Sequence, residues 1–190
     1  MKRIFVAVDI SEEARRKVSE YIETLRKEFK DVRVSWDRAE KLHLTLKFLG
    51  DTNEKQLEDL KKNVENIASE ITNFKLQISN TGLFPNVRNP RVLWLGIKGD
   101  VNDLQKINAV LEIECEKIGF AKEIRIYKPH LTIGRIREPK KAKSLAIKHL
   151  ENKFEPIEFE VSEIVIYESK LQSNGSIYSV VSSSKLKFQT

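Results

Sequence analysis

At 190 residues the chain is long enough to bury a sizeable core, in one domain or two small lobes. Hydrophobic residues at 40% and charged residues at 33% exclude a disordered chain, and apolar runs of only a few residues exclude a membrane-spanning helix. A single Cys excludes an internal disulfide and a cysteine-based zinc site, while 34 Lys and Arg against 28 Asp and Glu leave a net charge of +6 that favours phosphate-bearing partners.

The opening Met1 to Asp9 meets a carboxylate before a signal-peptide hydrophobic region forms, so a cytoplasmic protein is expected. Within it, Arg3-Ile4-Phe5-Val6-Ala7-Val8 reads as a strand. Ala14, Val18, Tyr21, Ile22, Leu25 and Phe29 then fall at helical spacing, with Glu12 and Glu13 suited to the helix N-terminus. A second strand opens with His43-Leu44-Thr45-Leu46. Asn53 to Ile71 predicts a helix with Leu57, Leu60, Val64, Ile67 and Ile71 on one face. Phe74 to Leu83 reads as a strand, and Gly82 to Pro90 as a turn.

The pattern then starts again. Arg91-Val92-Leu93-Trp94-Leu95-Gly96-Ile97 is strand-like, and Val101, Leu104, Ile107, Leu111, Cys115 and Ile118 predict a helix stopped by Gly119. His130-Leu131-Thr132-Ile133 opens the next strand. Pro139 is placed to start a helix carrying Ala142, Leu145, Ala146 and Leu150. Ile157 to Tyr167 is one strand-like segment, and Gln172 to Gly175 a turn. Ser176 to Ser184 takes the part that Arg91 to Ile97 plays earlier. From Arg3 to His43 is 40 positions and from Arg91 to His130 is 39, the spacing of a duplicated unit. An α+β fold follows: two pseudo-symmetric lobes, each an antiparallel sheet with outer helices, joined as one domain over 1–190 with a cleft between them.

Side chains alternate between the faces of a strand. His43 and Thr45 therefore share one face, and His130 and Thr132 another, while Leu44, Leu46, Leu131 and Ile133 anchor the opposite faces. Pseudo-twofold symmetry would bring two imidazoles and two hydroxyls onto one ligand. Imidazole serves as acid or base near neutrality, and threonine hydroxyls donate to oxygens on which charge develops.

With its paired H-x-T-x motifs, Leu42 to Gly50 and Lys128 to Arg135, and its opening Arg3 to Val8, the chain resembles the two-histidine phosphoesterase superfamily. The likeness is greatest to the RNA 2′,3′-cyclic phosphodiesterase branch, also called the 2′-5′ RNA ligase family. That resemblance implies a metal-independent, cofactor-free enzyme acting as a monomer on RNA ends or tRNA fragments that bear a 2′,3′-cyclic phosphate. It would hydrolyse them to 2′-phosphomonoesters, with His43 as proton donor and His130 as acceptor, and would also join 2′-5′ ends in reverse. Its rivals are a small-nucleotide cyclic phosphodiesterase and a non-catalytic RNA-end-binding module.

By the same resemblance Arg135 contacts the substrate. Strict alternation puts it opposite His130, and a bulge at Gly134 would turn it back. Lys47 has the parity of the cleft or is a solvated lysine, and Phe48 has the parity of the core. His149 is expected on an exposed helix face, and Cys115 within an apolar stripe. Arg135, Arg137, Lys140, Lys141 and Lys143 form a basic run suited to an RNA backbone, or a solvated helix start. Trp36 and Trp94 are either base-stacking or structural.

Overall fold

Ser11 begins the first helix by accepting a hydrogen bond from the Ala14 amide at 3.1 Å, a cap for donors that would otherwise be orphaned. In the computed structural model, which describes residues 1–173 and 175–188, that helix is α1, Glu12–Glu28, following β1, Lys2–Asp9. The chain continues through β2 (Val34–Trp36), β3 (His43–Thr52), α2 (Glu54–Glu70), β4 (Phe74–Phe84) and β5 (Val92–Gly99). It ends with α3 (Val101–Lys117), β6 (His130–Ile136), α4 (Lys143–Glu151), β7 (Ile157–Val161), β8 (Glu163–Gln172) and β9 (Gly175–Lys185). The expected turn at Gln172 to Gly175 includes Asn174, which lies outside the described residues.

The helices bury the stripes their spacing implied: Ala14, Val18, Ile22 and Leu25 in α1, and Leu104, Ile107, Leu111 and Cys115 in α3. Asn53 and Gln56 close a capping box on α2, and Gly119, at φ 91°, ends the turn after α3. Pro139 does not open α4. It starts a single 3₁₀ turn, Pro139–Lys141, and α4 begins at Lys143.

Two antiparallel sheets form, with orders β3-β1-β8-β9 and β2-β6-β5-β4-β7. Neither is made from one continuous half of the chain. β4 leaves the β1/β3 sheet to pair with β5, and β8 returns from the other half to pair with β1. The stretch Ile157 to Tyr167 is therefore two strands broken at Ser162, because β7 pairs with β4 in one sheet and β8 with β1 in the other. The segment read as the counterpart of Arg91 to Ile97 is β9, which lies at an edge beside β8 whereas β5 is interior to its sheet. The expected turn from Gly82 is shorter too, since β4 runs on to Phe84.

The helices are exchanged as well. α2 packs on β8 and β9 and α3 on β3, whereas α4 packs on β4 and α1 reaches β7. Each sheet is thus covered on one side by a helix from each half, and the buried apolar residues form one cluster through both lobes. Their other faces remain for the site.

Candidate active site

β3 and β6 adjoin where the lobes meet. β3 is the outermost strand of its sheet, and three-residue β2 pairs only with Gly134, Arg135 and Ile136, so the His130 end of β6 also lies along an edge. Both tetrapeptides thus face the junction.

His43 follows a 3₁₀ turn, Ala39–Lys41, that α1 holds in place. The Arg15 guanidinium donates to the carbonyls of Ala39 at 2.7 Å and Leu42 at 2.9 Å. It also pairs with Asp9 at 3.4 Å, and Asp9 accepts the Tyr167 hydroxyl at 2.8 Å. Asp9 stands directly opposite His43 in the β1–β3 ladder. The His43 ring stacks on Phe5 at 4.9 Å, meets Tyr178 edge-on at 5.4 Å and lies 5.9 Å from Tyr167. Burial among these rings pulls its pKa down to about 4, against a backbone hydrogen bond at Lys41, with Arg15 and Arg135 adding to the fall.

His130 is held in a parallel manner. Its Nδ1 lies 2.7 Å from the Lys128 carbonyl. A carbonyl only accepts, so Nδ1 carries the proton and Nε2 keeps its lone pair. Phe84 meets the ring edge-on at 5.1 Å, and Trp94 lies at 6.2 Å. Burial again lowers the pKa, opposed by the Lys128 carbonyl and assisted by Arg135.

A bulge follows each motif. Thr45 faces Ala7 while Lys47 faces Val6, which leaves Leu46 as an extra residue; Thr132 faces Trp94 while Gly134 faces Leu93, which leaves Ile133 extra. Each bulge reverses the parity of what comes after it. Arg135 is thereby returned to the site, where its charge acts on both imidazoles and its Nη1 pairs with Asp37 at 3.3 Å. Burial raises the Asp37 pKa, with Arg135 and Lys41 opposing.

The same reversal corrects two expectations in β3. Phe48 is not in the core: it is 68% exposed, its ring 5.7 Å from Phe5 on the His43 side. Lys47 is neither in the cleft nor solvated. It is buried, 2.6 Å from Glu112 of α3, and also donates to the Ala121 carbonyl at 3.2 Å. Glu112 accepts the Glu123 amide at 3.0 Å, so the pair fixes the segment leading to β6. From that segment the Tyr127 hydroxyl donates to the Thr45 carbonyl at 3.2 Å.

His149 is also not exposed. It is fully buried under β4 and β5, its Nδ1 2.9 Å from the Tyr21 hydroxyl and its Nε2 3.0 and 3.1 Å from the carbonyls of Gly82 and Trp94. Those carbonyls require a proton on Nε2, so Tyr21 is the donor to Nδ1. Cys115 is buried as expected, which pushes its thiol up to about 11. In the basic run, Lys141 pairs with Glu138 at 3.1 Å and Arg137 donates to the Ser35 hydroxyl at 2.9 Å, while Lys140 and Lys143 are exposed. Trp94 fills the space left by Gly82 beside His130, and Trp36 covers Gly134. Thr45 and Thr132 are half-buried on the two motif strands.

Sequence reasoning passed over Phe5, Asp9, Arg15, Asp37, Phe84, Tyr167 and Tyr178. Only Asp9 left a local signal, a carboxylate at the end of an apolar strand. Phe5, Phe84, Tyr167 and Tyr178 reach the site through strand pairing, Arg15 from α1 and Asp37 from the segment after β2.

The family pattern described as LigT like Phosphoesterase matches twice, over residues 8–94 and 95–178. The RNA 2′,3′-cyclic phosphodiesterase of Methanothermobacter thermautotrophicus is 38% identical, over 93% of this chain and 94% of that one. That of Methanocaldococcus jannaschii is 35% identical, over 94% and 98%. The fold is shared with TT0787 of Thermus thermophilus, at TM-score 0.81 and 24% identity over 99% and 100% of the two chains. It is shared too with E. coli LigT complexed with 3′-AMP, at TM-score 0.76 and 24% identity over 97% and 98%. Two motif strands, two matches and relatives of this identity agree, and the chain belongs to the LigT-like phosphoesterase family.

Proposed function

We propose that this chain is an RNA 2′,3′-cyclic phosphodiesterase that opens terminal cyclic phosphates to 2′-phosphomonoesters, with His43, Thr45, His130 and Thr132 as its catalytic residues and Arg135 binding the phosphate. The observation that carries the reading is the pair of imidazoles on adjoining edges, His43 held among Phe5, Tyr167 and Tyr178 and His130 on the Lys128 carbonyl, with Arg135 between the lobes paired to Asp37. The relatives' names supply the substrate class.

Water attacks phosphorus and gives its proton to His130 Nε2, the nitrogen whose lone pair is free. The bond from phosphorus to the 3′-oxygen breaks, and His43 protonates that oxygen. The threonine hydroxyls and Arg135 meet the non-bridging oxygens, where charge grows in the transition state. Burial keeps His43 of the free enzyme neutral at pH 7, and a bound phosphodiester anion raises its pKa towards the charged form the step needs. A 5′-hydroxyl attacking in place of water gives a 2′-5′ linkage.

The double match of the family pattern supports one domain over 1–190 formed by internal duplication. The reading also takes the enzyme as a cytoplasmic monomer acting on RNA ends or tRNA fragments; among the described residues no helix is long and apolar enough to cross a membrane.

The test is incubation with an RNA oligomer ending in 2′,3′-cyclic phosphate, with and without EDTA, followed by mapping of the product phosphate. A 2′-phosphate formed equally in both arms is expected. No turnover, or a 3′-phosphate, overturns the activity; loss in EDTA restored by a divalent metal overturns the metal-independent mechanism.

A further inference from the structure

A groove of about 670 Å³ lies away from the histidines, between α1 and β2, lined by Arg26, Lys30, Arg33 and Arg137 together with Phe29, Val32, Val34, Ser35 and Trp36. Among the described residues four cations line it and no carboxylate does. Among the described residues Arg26 pairs with Glu23 on its own helix, an exposed contact at 3.2 Å that competes weakly with a ligand. Arg137 uses its Nε on Ser35, which leaves both terminal nitrogens of the guanidinium to bind elsewhere. Gathering four cations against the exposed carboxylate of Glu23 favours an anionic occupant.

The groove also leads somewhere. A second hollow of about 460 Å³ shares Arg26, Val34 and Trp36 with it and continues to Asp37, Arg38 and Ala39. A third, of about 360 Å³, takes over at Arg38 and includes Lys41 and Tyr178. Asp37 is the partner of Arg135, and Tyr178 packs against His43. The path therefore follows residues 36–41 from the outer face to the candidate active site.

We propose that this groove carries the single-stranded RNA lying 5′ to the cyclic phosphate, its backbone phosphates held by Arg26, Lys30, Arg33 and Arg137. The proposal rests on the RNA reading above and adds a binding track outside the reacting site. Repeated phosphates match the row of cations, and the half-buried rings of Phe29 and Trp36 offer faces for bases. An acidic protein would satisfy the charges but would have no reason to follow a path that ends at the two histidines. The basic run seen in the sequence is thereby divided: Arg137 belongs to the track, and Lys141 to a surface pair with Glu138.

The experiment neutralises three of the four cations together, Lys30→Gln, Arg33→Gln and Arg137→Gln. Binding of a fluorescent single-stranded RNA of about 12 nucleotides ending in 2′,3′-cyclic phosphate is read by anisotropy across salt concentrations, beside turnover of adenosine 2′,3′-cyclic phosphate. The expected result is about tenfold or greater loss of oligomer affinity at low salt. The slope of log affinity against log salt should fall by about 2, at roughly 0.7 per phosphate contact. Mononucleotide turnover should stay at the parent level. Unchanged affinity and slope, or equal loss on oligomer and mononucleotide, overturns the track. Anisotropy reads binding whether or not RNA is hydrolysed, so a parent protein that binds the oligomer but cleaves neither substrate counts against the hydrolytic reading and not against the groove.

Discussion

β3 and β6 use one backbone device to present different chemistry. Each begins with a histidine, sets a threonine two residues later and bulges at the next residue. Beyond the bulge β3 places Lys47 towards the helices and Phe48 towards the site, whereas β6 has Gly134 and Arg135 at the same steps. One lobe therefore offers an aromatic surface around His43 and the other a guanidinium beside both histidines. The histidine environments differ accordingly. Three aromatic rings surround His43, and its pKa falls to about 4; His130 has Phe84 and Trp94, and its pKa is lowered too. Like backbones fix where groups stand, and the side chains divide the work.

The largest way to break the pairing is to remove either ring. His43→Ala and His130→Ala should each lower kcat by about 10²- to 10⁴-fold, the usual yield of general acid–base catalysis. Melting temperatures should move by no more than about 4 °C, since the buried leucines carry the packing. Full activity in either variant would break the proposed mechanism.

The pH profile sharpens the comparison next. Burial depresses both imidazoles, so both limbs of kcat/KM, which report the free enzyme, should lie below pH about 6.5. Above the upper limb the rate should fall about tenfold per pH unit. The limbs of kcat should lie higher, because bound phosphate favours imidazolium. A kcat/KM bell centred above 6.5 would contradict the burial. The same depression sets a stability trend: between about pH 6.5 and 4 the unfolded chain binds more protons than the folded one. Stability is thus full above that window and lost as pH falls through it, which a melting series would show.

Smaller effects test the bulges. Lys47→Ala leaves Glu112 buried without its partner and should cost about 3–5 kcal/mol in denaturant unfolding, much of which a Lys47→Met, Glu112→Leu double variant recovers. Gly134→Ala, at the matching step, should cost about 1–3 kcal/mol, since its new methyl would meet the Trp36 ring at 2.8 Å and the Val34 methyl at 3.0 Å. An alanine tolerated there without loss would mean that β2 is not seated as described.

Local spacing was enough for the helices, because a buried stripe such as Ala14, Val18, Ile22 and Leu25 depends only on 3.6 residues per turn. It was enough also for the two histidines, since alternation holds within His43 to Thr45 and His130 to Thr132. It ceased to suffice one residue later. A bulge is one extra residue against a partner strand, and only the pairing of β1 with β3 and β5 with β6 reveals Leu46 and Ile133 as the extra ones. That step put Phe48 and Lys47 on the wrong faces and left Arg135 in dispute. His149 failed for a related reason: a buried imidazole is stable once its nitrogens are paired, and Tyr21 and the Gly82 and Trp94 carbonyls come from distant segments. What the sequence by itself determined is the buried helical stripes and the identity of the two motif strands, whereas β2 and the break at Ser162 left no local signal. Tertiary structure alone decided the exchange of β4 and β8 and the rings around each histidine, because contacts between residues far apart in the chain follow from which strands pair and not from any local period.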